Sequence, residues 1–432
     1  MRNRKKVIIA VIAGVVLVAI TVYAICTINV IGKWSFEQRT VDGRVVYEFR
    51  KPGDQTNIEL SPDNSHKLLF THYGVTWFDD WGKDYLVDLS DLNKLTDNPD
   101  ACSENIASSS WDCLFSESGD KIIWAYHPYP YTRLQKILGY DIKSKSQFEI
   151  DTREELPYKS APMMSGDIVA YQGSNGDDGN QIRLYDMASK TYRQLTPDQP
   201  ASNQFPVISG KKIVWIDRRN LKTTGEDIYG FDLATNSEFT VTTSPDDQSS
   251  FKFNGRYVLY RGKCILPGEP GNDSQLDTKC MGLYLYDTQN NTTTTITPNT
   301  TQIFPMYCLS NEDDARIVWS EKITNNNGTF WAIKQKKVSD AAASYISNTS
   351  TLSNHQFAEF LTDSHIFYSA NDSEDTLGLP YCYKLSNSTH YQLDTKEFLD
   401  ITADDTYVLW TKLRAQENPL NEGQNICGTT LP

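Results

Sequence analysis

Two short stretches concentrate aromatic side chains between apolar runs: "WFDDW", with Trp77 and Trp81, and "YHPYPYTR", with Tyr126, Tyr129 and Tyr131. The flat faces of Trp and Tyr stack on sugars or anchor a protein partner, while their polar tips reach for an acceptor. Both stretches follow the same kind of apolar segment, so they should emerge on one face of the fold. The competing reading is that they pack long loops onto the body of the protein. A second chemistry is offered by "WIDRRN", where Arg218 or Arg219 at a strand exit could clamp a carboxylate bidentately or pair with Asp227 across a hairpin. The acidic stretches "SNGDDGN" (Asp177, Asp178) and "NEDDAR" (Glu312, Asp313, Asp314) carry oxygen ligands of the kind Ca2+ takes. Neither has the spacing of a defined calcium loop, so solvated turns are expected there and no resident cofactor.

Catalytic motifs are missing from the chain. It contains no G-x-S-x-G elbow, H-E-x-x-H pair or phosphate-binding loop, and its six His stand in no catalytic pattern. The eight Cys include no C-x-x-C, which argues against zinc. Cys102 with Cys113, and Cys264 with Cys280, bracket irregular polar stretches and are expected to form local disulfides, with Cys382 and Cys427 as a weaker third pair. Asn-x-Ser/Thr sequons begin at Asn272, Asn290, Asn291, Asn299, Asn327, Asn348, Asn371 and Asn387, and none precedes Asn272. That restriction suits a glycosylated sector facing the environment, although an Asn- and Thr-rich region also produces sequons by chance.

The N-terminus supplies the compartment. Arg2, Arg4, Lys5 and Lys6 precede an uncharged apolar run over 7–30. Roughly 20 apolar residues span a bilayer as a helix, and a basic flank stays cytoplasmic. We therefore expect a cytoplasmic tail over 1–6, an uncleaved anchor over 7–30, a linker over 31–43 and an extracellular domain over 44–432. A cleaved signal or a lipid-modified Cys26 are the alternatives. The formal net charge of −14 becomes more negative still once the tail is set aside. Such a surface repels phosphate backbones, so nucleic acid is an improbable partner.

What must position these residues is a repeat. "KLLFTHY", "KIIWAYH", "DIVAYQG", "KIVWIDR", "RYVLYRG", "RIVWSEK", "HIFYSAN" and "TYVLWTK" recur along the chain, each short and rich in β-branched and aromatic residues, as strands are. Most are followed by an aromatic-Asp pair and a Thr-rich end, as at Tyr185-Asp186, Phe231-Asp232 and Tyr286-Asp287. An Asp recurring at one point of every copy is expected to cap a turn rather than to build a shared acidic site. The repeat length, on the order of 45 residues, matches a four-stranded propeller blade. The last copy is short, and 44–63 carries blade-like strands with no apolar strand ahead of them. An all-β propeller of eight blades, or alternatively seven, closed by strands from both termini, accounts for both defects.

"SPDNSHKLLF" resembles the repeats of TolB-type propellers, and "IVWIDRRNLKTTGEDIYGFDL" resembles those of archaeal cell-surface propeller proteins. The resemblance covers most of 44–432 and implies the fold. Its functional implication is broad: such propellers serve as binding platforms, envelope components and enzyme accessory domains. The chain shows no N-terminal α/β domain of the TolB kind, so TolB's partner contacts are not carried over. The expectation is a membrane-anchored, non-catalytic module that binds or scaffolds an envelope protein or surface glycan. The rival readings are a carbohydrate-active hydrolase or lyase and a self-associating coat component.

Overall fold

The computed structural model describes residues 35–41, 44–50, 54–60, 67–73, 83–88, 103–108, 116–126, 134–175, 179–197, 202–244, 248, 250–262, 282–298, 301–311, 313–372, 378–404, 406–413 and 424–431, with the backbone alone over 35–37, 49–50, 54–60, 67–73, 83–88 and 103–108 and at 117, 305, 413 and 424. The apolar run over 7–30 lies outside them. No helix among the described residues is long and apolar enough to cross a membrane.

Each of the eight recurring apolar segments is the second strand of an antiparallel sheet. In Lys212–Asp217 every residue after Lys212 is buried, and Ile122 to Ala125 are all buried in Lys121–Tyr126. These strands read as unbroken apolar runs because each is covered on both faces by neighbouring sheets. Burying one such side chain, Ile213 for example, stabilises by roughly 1.5–3 kcal/mol. The core is accordingly divided into layers. One layer joins Ile123 and Ile137 to Val169 and Tyr171 of the next sheet; another joins Ala170 and Leu184 to Ile213 and Trp215.

Seven sheets have four strands in chain order. First strands of successive sheets touch, from Tyr158–Ser165 through Asn203–Ser209, Phe251–Phe253, Ile303–Leu309 and His355–Leu361 to Asp400–Ala403, which in turn contacts Asp54–Leu60 of the first sheet. First strands therefore form an inner ring, and the architecture is that of a β-propeller. Three sheets turn from their first to their second strand through a Ser-Gly pair, at Ser118-Gly119, Ser165-Gly166 and Ser209-Gly210. Gly166 and Gly210 sit at φ +59°, a conformation only Gly adopts without strain. Their N–H groups donate to Ser118 Oγ and Ser165 Oγ of the preceding sheet, each at 3.0 Å.

The remaining sheet has five strands, in the order Ser35–Val41, Arg44–Arg50, Gln424–Thr430, Tyr407–Leu413 and Asp400–Ala403. Closure by both termini is thus present, with two corrections. Asp54–Leu60 opens the first sheet instead of completing the last. Ser35–Val41, expected as linker, is a strand paired in register with Arg44–Arg50, Val41 facing Arg44. The two residues between them are Asp42 and Gly43, the dipeptide that favours a two-residue hairpin.

Candidate functional site

The "WIDRRN" arginines are occupied. Trp215 Nε1 donates to Asp217 Oδ2 at 2.9 Å, and Arg219 reaches the same carboxylate through Nε at 2.9 Å. The Arg219 guanidinium also binds Glu238 at 2.9 Å and lies 4.1 Å from the Tyr229 ring centre. Arg218 pairs with Glu226, its Nε 2.7 Å from Oε1. The expected Asp227 pairing is therefore corrected: Asp227 accepts from Asn220 Nδ2 at 2.9 Å and Thr224 Oγ1 at 3.0 Å. The turn role expected of the aromatic-Asp pairs is present: Asp186, Asp232 and Asp287 accept backbone N–H bonds two residues on at 2.9, 2.8 and 2.8 Å.

A buried aromatic donating to a carboxylate recurs around the ring. Tyr171 Oη donates to Asp151 at 2.6 Å, Trp319 Nε1 to Glu321 at 3.3 Å and Trp410 Nε1 to Asp394 at 3.1 Å. A cation completes each bracket: Arg153 on Asp151, Lys334 on Glu321 and Arg39 on Asp394. These groups hold one another and leave little for a ligand.

Trp124 breaks the pattern. It is fully buried, yet its Nε1 has no hydrogen-bond partner. Tyr126 stands two residues on, where Asp217 and Glu321 follow their tryptophans. Trp124, Tyr126, Lys136 and Leu138 line a cleft of about 470 Å3. Tyr126 faces Lys136 across the strand pair and Trp124 faces Leu138, so all four share one face of the sheet. Gln147 and Glu149, both exposed, add a polar edge, and Phe148 completes the lining. A partly exposed aromatic ring, that of Tyr126, beside a few polar groups suits a small-ligand site.

A second constellation lies on the inner ring. Glu359 sits at a register shift in His355–Leu361, between Ala358 and Phe360, and accepts from Ser369 Oγ at 2.7 Å. Burial pushes its carboxyl up to about 7, and the charge of Asp400 on the adjoining inner strand adds to the shift. Asp400 stays solvent-accessible, while the protein crowded around it holds its carboxyl above the usual range. No motif marks either residue in the sequence.

Of the aromatic candidates, Tyr126 is in the cleft; Trp77, Trp81, Tyr129 and Tyr131 lie outside the described residues. So do Cys102, Cys113, Cys264 and Cys280. The Cys382–Cys427 pair expected from the sequence is not formed: both are free thiols buried in one apolar layer, and Cys308 is free and buried in another. They pack as small apolar side chains. Asn290, Asn291, Asn327, Asn348 and Asn387 are exposed. Asn371 is only 8% exposed, closed to a glycan in the fold; Asn272 and Asn299 lie outside the described residues. Of the acids considered for Ca2+, Asp314 caps Ser339 through its N–H at 2.9 Å and Oγ at 2.7 Å. No group of potential metal ligands occurs among the described residues.

No family model matches the chain, and no curated protein does. Among solved structures it is similar to the computationally designed Ika8 protein, at 8% identity and a TM-score of 0.52 over 88% of this chain and 97% of that one. It is also similar to the β-propeller domain of the Trilobed protease from Pyrococcus furiosus, at 10% identity and a TM-score of 0.44, covering 69% and 88% of the two chains. TolB from Acinetobacter baumannii follows at 16% identity and a TM-score of 0.37, covering 62% and 64%. At these identities the likeness concerns fold alone.

Proposed function

We propose that this chain is an eight-bladed, TolB-like propeller held to a membrane by 7–30 and displayed outside the cell, where it acts as a non-catalytic binding or scaffolding module for an envelope protein or surface glycan. The observation that carries the binding role is the Trp124 cleft, whose described lining offers the Tyr126 ring, one cation in Lys136 and the hydrogen-bonding groups of Gln147 and Glu149. Reading the eight sheets as eight blades rests on their repeated strand order. The exposed sequons at Asn290, Asn291, Asn327, Asn348 and Asn387 favour an external location. Cross-linking on intact source cells, followed by purification through the full-length protein and mass spectrometry, tests this. One stoichiometric envelope partner or glycan supports the module; self-links alone would replace it with a coat.

A second reading, a carbohydrate-active enzyme, draws on Glu359 and Asp400. A carboxyl that titrates near neutrality beside a second acid is suited to general acid–base work. Turnover of a polysaccharide that Glu359→Gln abolishes with no loss of melting temperature would promote it over the binding module.

A further inference from the structure

We infer that the Trp124 cleft recognises a carboxylate, carried by a uronic-acid residue of a surface saccharide, which takes the place that an acidic side chain fills in the sister repeats. This rests on the binding role proposed above and names its ligand class.

The protein supplies its own template. Where a tryptophan occupies the fourth position of "KIVWID" or "RIVWSE", an acid two residues later accepts the indole N–H, and a cation meets that acid. In "KIIWAY" the tryptophan is kept and the acid is replaced by Tyr126; the nearby cation, Lys136, stands opposite Tyr126, whereas Lys334 stands opposite Trp319. Trp124 Nε1 is left buried without an acceptor, a state buried donors rarely occupy. Lys136, opposite Tyr126 on the same cleft wall, makes no ion pair among the described residues. A donor and a cation that share a cleft, with the repeat's carboxylate missing between them, are complementary to a carboxylate brought by a ligand.

The rest of the lining favours a sugar as the carrier. Tyr126, partly exposed at the cleft, offers a ring for the C–H face of a pyranose, and Gln147 and Glu149 can bond its hydroxyls. Glu149 also sets polarity. It faces Leu138 on the outer strand, so a bound acid is kept at the Lys136 end and the hydroxyls at the other.

The test uses the full-length protein in detergent micelles, titrated calorimetrically with a glucuronate trisaccharide, its methyl ester and the neutral glucose trisaccharide. The free acid should bind at least about tenfold tighter than the ester, the size of one charge-assisted contact. Lys136→Met should erase that preference, and Trp124→Phe should weaken acid binding while sparing the neutral sugar. Tyr126→Asp rebuilds the repeat's own carboxylate: it should block the acid and raise the melting temperature. Equal binding of acid and ester would overturn the carboxylate inference while leaving the binding module standing. Failure of every saccharide, with binding of a peptide bearing a free C-terminal carboxylate, would keep the chemistry and overturn the sugar. Should Tyr126→Asp fail to fold, Lys136→Met decides alone.

Discussion

Lys412, on a C-terminal strand, donates to Glu48, on an N-terminal one, at 2.6 Å. The amide of Asn425 holds the other carboxylate oxygen at 2.6 Å, and Arg39 Nε approaches Glu48 at 3.5 Å. All of this lies in the sheet that closes the ring, and both Glu48 and Lys412 are buried.

Removing one member of such a pair leaves the other charge buried without compensation. Glu48→Ala should cost about 3–5 kcal/mol of stability by denaturant unfolding. The paired replacement Glu48→Leu with Lys412→Met should recover most of the loss. An unchanged midpoint in Glu48→Ala would mean that the termini do not close the propeller.

Glu359 gives the fold a pH dependence of defined sign. Its folded pKa of about 7 lies above the usual 4.5, so the folded state holds a proton that the unfolded chain has released. Its contribution is therefore present below pH about 4.5 and is lost as pH rises through about 7. Glu359→Gln should flatten the melting-temperature profile over that window, gaining on the order of 2 kcal/mol relative to the parent at the alkaline end. Parallel profiles would place Glu359 in water.

Burial pushes the thiols of Cys308, Cys382 and Cys427 up to about 12. A thiol-specific maleimide at mildly alkaline pH should label none of them in the folded protein and all three after unfolding, because the thiolate is the reactive form. Non-reducing peptide mapping on the same sample should recover Cys102–Cys113 and Cys264–Cys280 as linked peptides. Rapid labelling of Cys382 in the native state would contradict its packing.

The inner layer of this fold was legible because physics repeats it. Wherever its side chains are described, the second strand is covered on both faces, so its apolar run survives from "KIIWAY" to "YVLWTK". Strands with one exposed edge carry weaker marks. Ser35–Val41 alternates loosely and was expected as linker, though the Asp42-Gly43 pair beside it was a usable hairpin signal. The Tyr126 exchange was also visible, once "KIIWAY" is set against "KIVWID". Glu359 and Asp400 were not legible, because inner strands are interrupted by register shifts at Ser160/Met163, Gln204/Val207 and Ala358/Phe360 that erase any alternation. The partner of Arg219 was missed for a different reason: Asp217 precedes it by two residues, and sequence alone does not reveal that the chain turns back on itself there.

The most direct measurement of the central claim places a photo-activated cross-linking residue at Gln147, on the cleft edge, in the full-length protein on source cells. A second copy of the experiment places it at Asn236, in an exposed turn away from the cleft. A binding propeller that works through the Trp124 cleft predicts one envelope species captured from Gln147 and none from Asn236, with capture lost in Lys136→Met. The same species captured equally from both positions, or capture unchanged by Lys136→Met, would contradict it.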